Sequence, residues 1–200
     1  MNLHPCLFGL LAFAVTLPAY AAPEKYVIDP EHTYPSLEMP HMGLSTWRGK
    51  FNRSRGEISL DLAAHKGSVK VEVDTDSIDF GLDSMHEHAV TADWLNTARF
   101  PVMTYAGELR FEGDKPVEVD GKLTLRGVTK PLKLKINSLT CTEHFYYKKP
   151  VCGADAQATL DRADWGMSQY ADNGMGRILV RIQVEAFKDA LPAPPAAKKD

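Results

Sequence analysis

Glu57-Ile58-Ser59-Leu60-Asp61-Leu62 and, a little further on, Val69-Lys70-Val71-Glu72-Val73-Asp74 carry the decisive pattern. Apolar and polar side chains alternate one by one, which on an extended chain puts the apolar residues on one face and the charges on the other. The same period returns at Leu123 and Leu125, and at Leu132, Leu134 and Ile136 against Lys133, Lys135 and Asn137. It returns again at Ile178, Val180, Ile182 and Val184 against Arg181, Gln183 and Glu185. Further candidates are Tyr26 to Ile28, Leu37 to Met39, Val102 to Leu109, Val117 to Val119 and Ala156 to Leu160. About nine or ten half-buried strands are therefore expected.

Lys66-Gly67, Glu112-Gly113-Asp114-Lys115-Pro116, Asp120-Gly121 and Arg126-Gly127 fall between these runs and are predicted turns, so neighbouring strands should be antiparallel. From Ser84 to Asn96 the spacing of Met85, His88, Ala89, Ala92 and Leu95 predicts one short helix, stopped before Phe100-Pro101. Many strands with one apolar face each make a sandwich or a closed barrel. A barrel of about eight strands either fills its interior with side chains or encloses one small ligand. Periodicity leaves both open.

Composition narrows the function. With 44% hydrophobic and 24% charged residues in a chain of 200, one folded domain is expected rather than disorder. Lys and Arg total 23 against 26 Asp and Glu, so no basic field exists to hold a nucleic-acid backbone. The first charged residue is Glu24, and the apolar run Leu7 to Leu17 is shorter than the roughly 20 residues of a membrane span. Followed by Pro18 and Ala19-Tyr20-Ala21, it reads as a secretory signal peptide over residues 1–21, with a folded domain over 22–190 and a flexible tail over 191–200. Cleavage removes Cys6. Cys141 and Cys152 remain, an even count in an exported chain, and are expected to form a disulfide that staples the excursion between them.

Four phrases then stand in a telling order. They are Ile28-Asp29-Pro30-Glu31-His32-Thr33 leading to His41-Met42-Gly43-Leu44-Ser45-Thr46-Trp47-Arg48-Gly49-Lys50-Phe51; Val71 to Asp79 with Asp93-Trp94-Leu95-Asn96-Thr97-Ala98-Arg99-Phe100-Pro101; Gly121 to Pro131; and Arg162-Ala163-Asp164-Trp165-Gly166-Met167 with the run Ile178 to Phe187. Together they resemble the YceI-like family of periplasmic, lipocalin-like proteins. The resemblance implies an all-β, antiparallel eight-stranded barrel whose apolar tunnel binds polyisoprenoid chains, isoprenoid quinones or related lipids. It also implies a periplasmic binder rather than an enzyme, with no cofactor beyond that lipid. Transient contact with a membrane surface is compatible with such a ligand. The sequence departs from the family pattern at Gly174-Met175-Gly176-Arg177-Ile178, where Gly-Asp-Glu-Val is frequent, and at Ser84-Met85-His86-Glu87-His88, where Arg-Asp-x-His is common.

Candidates to line the tunnel or its mouth are Trp47, Phe51, Phe80, His88, Trp94, Leu95, Phe100, Leu123, Leu125, Trp165 and Met167. Aromatic faces supply apolar area with few rotamers, and methionine adapts to variable chains. The alternative site is His86-Glu87-His88, which could supply a metal or a catalytic group at the mouth with help from His32 or His41. On a strand the two imidazoles would point the same way, whereas on a helix residues two apart do not face each other. Lys133 and Lys135, though close to Arg126 and Lys130, alternate onto the solvent face. No G-x-S-x-G, H-E-x-x-H or phosphate-cradling motif is present.

Overall fold

A computed structural model describes residues 22–193. The expected signal peptide and residues 194–200 of the expected tail lie outside the described residues. Eleven strands and one α-helix follow in chain order: β1 (Glu24–Ile28), β2 (Tyr34–His41), β3 (Ser45–Phe51), β4 (Ser54–Asp61), β5 (Lys66–Asp74), β6 (Ile78–Asp79), α1 (Asp83–Ala89), β7 (Val102–Glu112), β8 (Lys115–Leu125), β9 (Val128–Glu143), β10 (Pro150–Asp161) and β11 (Arg177–Lys188).

All the strand pairs are antiparallel. The ring runs β1-β4-β5-β7-β8-β9-β10-β11 and closes because β1 pairs with both β4 and β11. The barrel is thus eight-stranded, as the resemblance implied. β2, β3 and β6 continue the sheet from β11, whose first half pairs with β2 and whose last residues pair with β1. β1 and β2 are therefore two halves of one wall position, interrupted at Asp29 to Thr33.

That interruption explains the phrase Ile28 to Thr33 in chemical terms. Where the ladder skips, the Glu185 main chain would be left unpaired. The Asp29 N–H donates to Glu185 O at 2.9 Å; the Thr33 hydroxyl donates to the same oxygen at 3.1 Å and accepts from Glu185 N at 3.0 Å. Ser54 Oγ donates to Thr33 O at 2.6 Å, tying the break to β4. Asp29 accepts from Glu31 N at 3.0 Å and lies 2.7 Å from His32 Nδ1, which folds the intervening turn.

The alternation that decided the strands also decides the interior. Ile58, Leu60, Val69, Val71 and Val73 face inward, as do Leu132, Leu134, Ile136 and, on β11, Ile178, Val180, Ile182, Val184 and Ala186. Leu62 lies past the end of β4 and is exposed. Several limits differ from the sequence expectation. The runs at 117–119 and 123–125 form one strand, β8, because Asp120-Gly121 is not a turn. A Cβ at Gly121 would strike the Tyr105 hydroxyl and come within 2.8 Å of Ala106 O, so this glycine makes room for an aromatic crossing from β7. Pro116 belongs to β8 beside a register shift, the kind of place where a strand tolerates proline. The helix is shorter than expected, ending at Ala89, and turns bound by Leu95 N to Ala89 O and Asn96 N to Thr91 O replace its second half. β3 lacks the apolar alternation of the other strands because Ser45, Thr46, Arg48 and Lys50 fill most of its positions.

The registers place the β4–β5, β7–β8 and β9–β10 hairpins at one end of the barrel. The β8–β9 turn, the β10–β11 connection over residues 162–176, and the segment 75–101 with α1 lie at the other. These are the hairpin end and the helix end.

Candidate ligand cavity

Inside the barrel lies a cavity of about 270 Å³, and its wall presents no polar surface. It runs from Tyr26, Leu60, Leu109 and Leu139 toward the hairpin end to Phe80, Trp94, Leu95 and Arg162 at the helix end. Inward residues from all eight barrel strands contribute, with Met39 and Leu37 from β2. Close packing, the rule for a protein interior, is not reached here. The volume lies just below the roughly 300–1,000 Å³ of small-molecule sites.

Two features hold the wall in shape. Tyr105 spans the interior surface from β7, and its hydroxyl donates to Val119 O at 3.1 Å and Leu132 O at 2.9 Å, so its polar end is consumed by the wall. Burial, reinforced by Asp120 and Glu118, holds that hydroxyl far above its ordinary pKa, and it remains a neutral donor. In β9 the register with β10 shifts next to Asn137, so Leu139 rather than Ser138 turns inward after Ile136.

At the helix end the wall is built on Arg162, which is only 2% exposed. Its Nε donates to Met175 O at 2.9 Å, and its terminal nitrogens donate to Met167 O and Gln169 O. The guanidinium lies 4.5 Å from the centre of the Trp94 ring. Three main-chain carbonyls and one aromatic face thus solvate a buried cation, and the β10–β11 connection is wound around it. Burial lowers the Arg162 pKa, and Asp161 opposes that shift. Trp94 is held in turn by Arg126, whose guanidinium donates to Trp94 O. Among the described residues, Trp94 Nε1 is the buried side-chain polar atom without a partner.

The sequence-derived candidates divide by position. Phe51, Phe80, Trp94, Leu95, Leu123, Leu125 and Met167 line the cavity. Trp47, His88, Phe100 and Trp165 do not. Trp47 stacks on His41 at 3.8 Å and packs, half-buried, against the core beside its cross-strand neighbour Met39, and His88 is exposed and tilted over Trp94 at 5.1 Å. Phe100 packs on the β8–β9 turn at Gly127. Trp165, 3% exposed, is core behind the wall and donates to Leu123 O at 3.4 Å. Sequence reasoning missed Tyr105, Leu109, Leu139 and Arg162 as wall residues; the alternation of β7 contained the first two, whereas nothing local marks the others.

His86 and His88 sit on α1, two residues apart, and go separate ways. His86 Nδ1 lies 2.8 Å from Ile78 O, which accepts from it, while His88 turns to Trp94. Among the described residues no three His, Cys, Asp or Glu side chains converge as a metal site. Cys141 and Cys152 face each other across β9 and β10 and are bonded.

A sequence profile of the YceI-like domain matches residues 26–186, which spans every strand of the barrel. The chain belongs to the YceI-like family. Among its relatives, a UPF0312 protein of Shewanella denitrificans is 32% identical over 137 residues, 66% of this chain and 72% of that one. A UPF0312 protein of Vibrio cholerae is 35% identical over 126 residues, 61% of this chain and 67% of the other. Solved structures share the fold at lower identity. A Campylobacter jejuni YceI protein superposes with a TM-score of 0.63 at 21% identity, covering 76% of this chain and 91% of its own. A polyisoprenoid-binding domain from Saccharophagus degradans does so at 0.57 and 15%, covering 82% and 98%.

Proposed function

We propose that this YceI-like protein is a periplasmic carrier or store for an isoprenoid lipid, a polyprenyl chain or an isoprenoid quinone, and not an enzyme. The observation that supports this reading is the continuous cavity with no polar surface, which suits a tail and offers a reacting group nothing to work with. The polyisoprenoid-binding domain that shares the fold adds support from the ligand side.

A tail of about 40 carbons that leaves water entirely would gain on the order of 30 kcal/mol at roughly 0.8 kcal/mol per buried CH₂. That exceeds the non-covalent ceiling of about 18 to 21 kcal/mol, so tail ordering and incomplete burial offset part of it. In a cell the competing state is a bilayer, where the tail is already out of water, so exchange runs near balance.

The test is native mass spectrometry of protein exported and processed by a bacterial host, followed by organic extraction. A stoichiometric adduct whose fragments form an isoprenoid ladder is expected. Ala156→Phe, which pushes a ring into the cavity, should lower occupancy at least tenfold while the fold survives. Apo protein that also refuses added quinones and polyprenols overturns the proposal.

A further inference from the structure

The β9–β10 hairpin projects from the hairpin end and carries His144-Phe145-Tyr146-Tyr147-Lys148-Lys149 at its tip. The tip is built rather than frayed. His144 N donates to Lys149 O at 2.8 Å and Lys148 N to His144 O at 2.9 Å. His144 Nδ1 accepts from Tyr146 N at 3.2 Å and Tyr147 N at 3.1 Å, fixing the ring beneath the turn. Tyr147 folds back edge-on against Phe187, itself 1% exposed, at 5.8 Å. The Cys141–Cys152 disulfide closes the base.

That framework turns two aromatic side chains outward. Phe145 is 82% exposed and Tyr146 63%. Beside them stand Lys148, with Glu143 at 3.8 Å, and Lys149, which has no carboxylate within 4.0 Å among the described residues. The tip is thus apolar and cationic on a chain whose net charge is −3. Exposed aromatic rings next to lysines on a rigid loop match the depth profile of a bilayer interface, where rings settle at the headgroups and lysines meet anionic lipid. The finger is also the continuation of the cavity wall, since Leu139, Cys152, Gly153 and Ala154 at its base line the interior.

We propose that this disulfide-stapled finger is a membrane-docking element that seats the hairpin end of the barrel on an anionic lipid surface. The proposal deepens the lipid-carrier reading and rests on it for its purpose, while its chemistry stands on the tip. A second exposed apolar turn, Met42 to Leu44, lies on the β2–β3 hairpin and serves as an internal control, because no lysine accompanies it.

The experiment is co-sedimentation of the exported, processed protein with vesicles of phosphatidylethanolamine and phosphatidylglycerol, against phosphatidylcholine alone. Wild type is expected to pellet with the anionic vesicles. Phe145→Ser/Tyr146→Ser should reduce bound protein about tenfold with an unchanged Tm, and each of Lys148→Gln and Lys149→Gln about fivefold. Met42→Ser/Leu44→Ser should bind as wild type does. Wild type left in the supernatant, or finger variants that pellet normally, overturns the proposal. So does binding lost in the Met42/Leu44 variant instead, or a dimer in analytical ultracentrifugation that the finger variant alone dissolves without any vesicle binding. Lipid occupancy by native mass spectrometry is read on the same samples: finger-dependent vesicle binding by protein with an empty cavity sustains the docking surface and sinks the carrier reading.

Discussion

At the hairpin end, short connections follow the ladder, and β9 and β10 extend it into a finger cross-linked by Cys141 and Cys152. At the helix end, two long irregular connections cover the barrel, and a buried guanidinium holds one of them by main-chain carbonyls. One end is secured by strand pairing and a covalent bond between neighbours in register. The other is secured by a single side chain that gathers groups spread over residues 167–175. This barrel uses local devices where its chain turns tightly and a long-range polar anchor where it wanders.

The largest effect is expected from breaking the helix-end anchor. Arg162→Met strands the carbonyls of Met167, Gln169 and Met175 and removes the cation from Trp94, for a loss of about 4 kcal/mol in urea unfolding. Amide exchange should accelerate over 163–176 while the finger keeps its protection; equal acceleration at both ends would show that the two are one cooperative cap. At the opposite end, Cys141→Ser/Cys152→Ser should cost about 3 kcal/mol in the chain-entropy view and shorten the life of the finger under protease. A loss as large as that of Arg162→Met would erase the contrast. Gly121→Ala probes the waist between the ends. Its methyl group must displace Tyr105, and a loss of about 2 kcal/mol with weakened lipid retention is expected by denaturation and mass spectrometry.

The smallest effect is pH-dependent and belongs to the break between β1 and β2. The hydrogen bond to Asp29 raises the His32 pKa above 6.5, against the opposing effect of burial. A raised folded-state value means stability that is fully present below 6.5 and lost as pH rises through the folded-state pKa. Because the His32 side chain is 56% exposed, the change should stay below about 1 kcal/mol. His32→Ala should flatten the profile above pH 6.5, as read by urea midpoints across pH; an unchanged slope would place the titrating group elsewhere.

Much of the wall was legible. Ile58 with Leu60, Val69 through Val73, and the β11 residues Ile178 to Val184 follow their period of two into the cavity without exception. The aromatics were legible as large apolar groups but not as wall or core. Trp94 and Trp165 have equally suggestive neighbours in sequence, yet Trp94 borders the cavity and Trp165 packs behind it. Alternation also loses count at a register shift, which is why Leu139 could not be assigned from Leu132 to Ile136.

Which side chains share a face of each strand is settled by the order of residues alone, because it follows from the geometry of consecutive residues on one extended chain. The residue order also points to the disulfide partners, since two cysteines remain once the expected signal peptide is removed. Contacts made in space, by contrast, close the ring through β1 against β4 and β11, bring Arg162 to Trp94, and leave a cavity between the inward faces. The space inside a barrel depends on how many strands close it and in what register. Both are set by pairings between residues far apart in the chain, which no local pattern records.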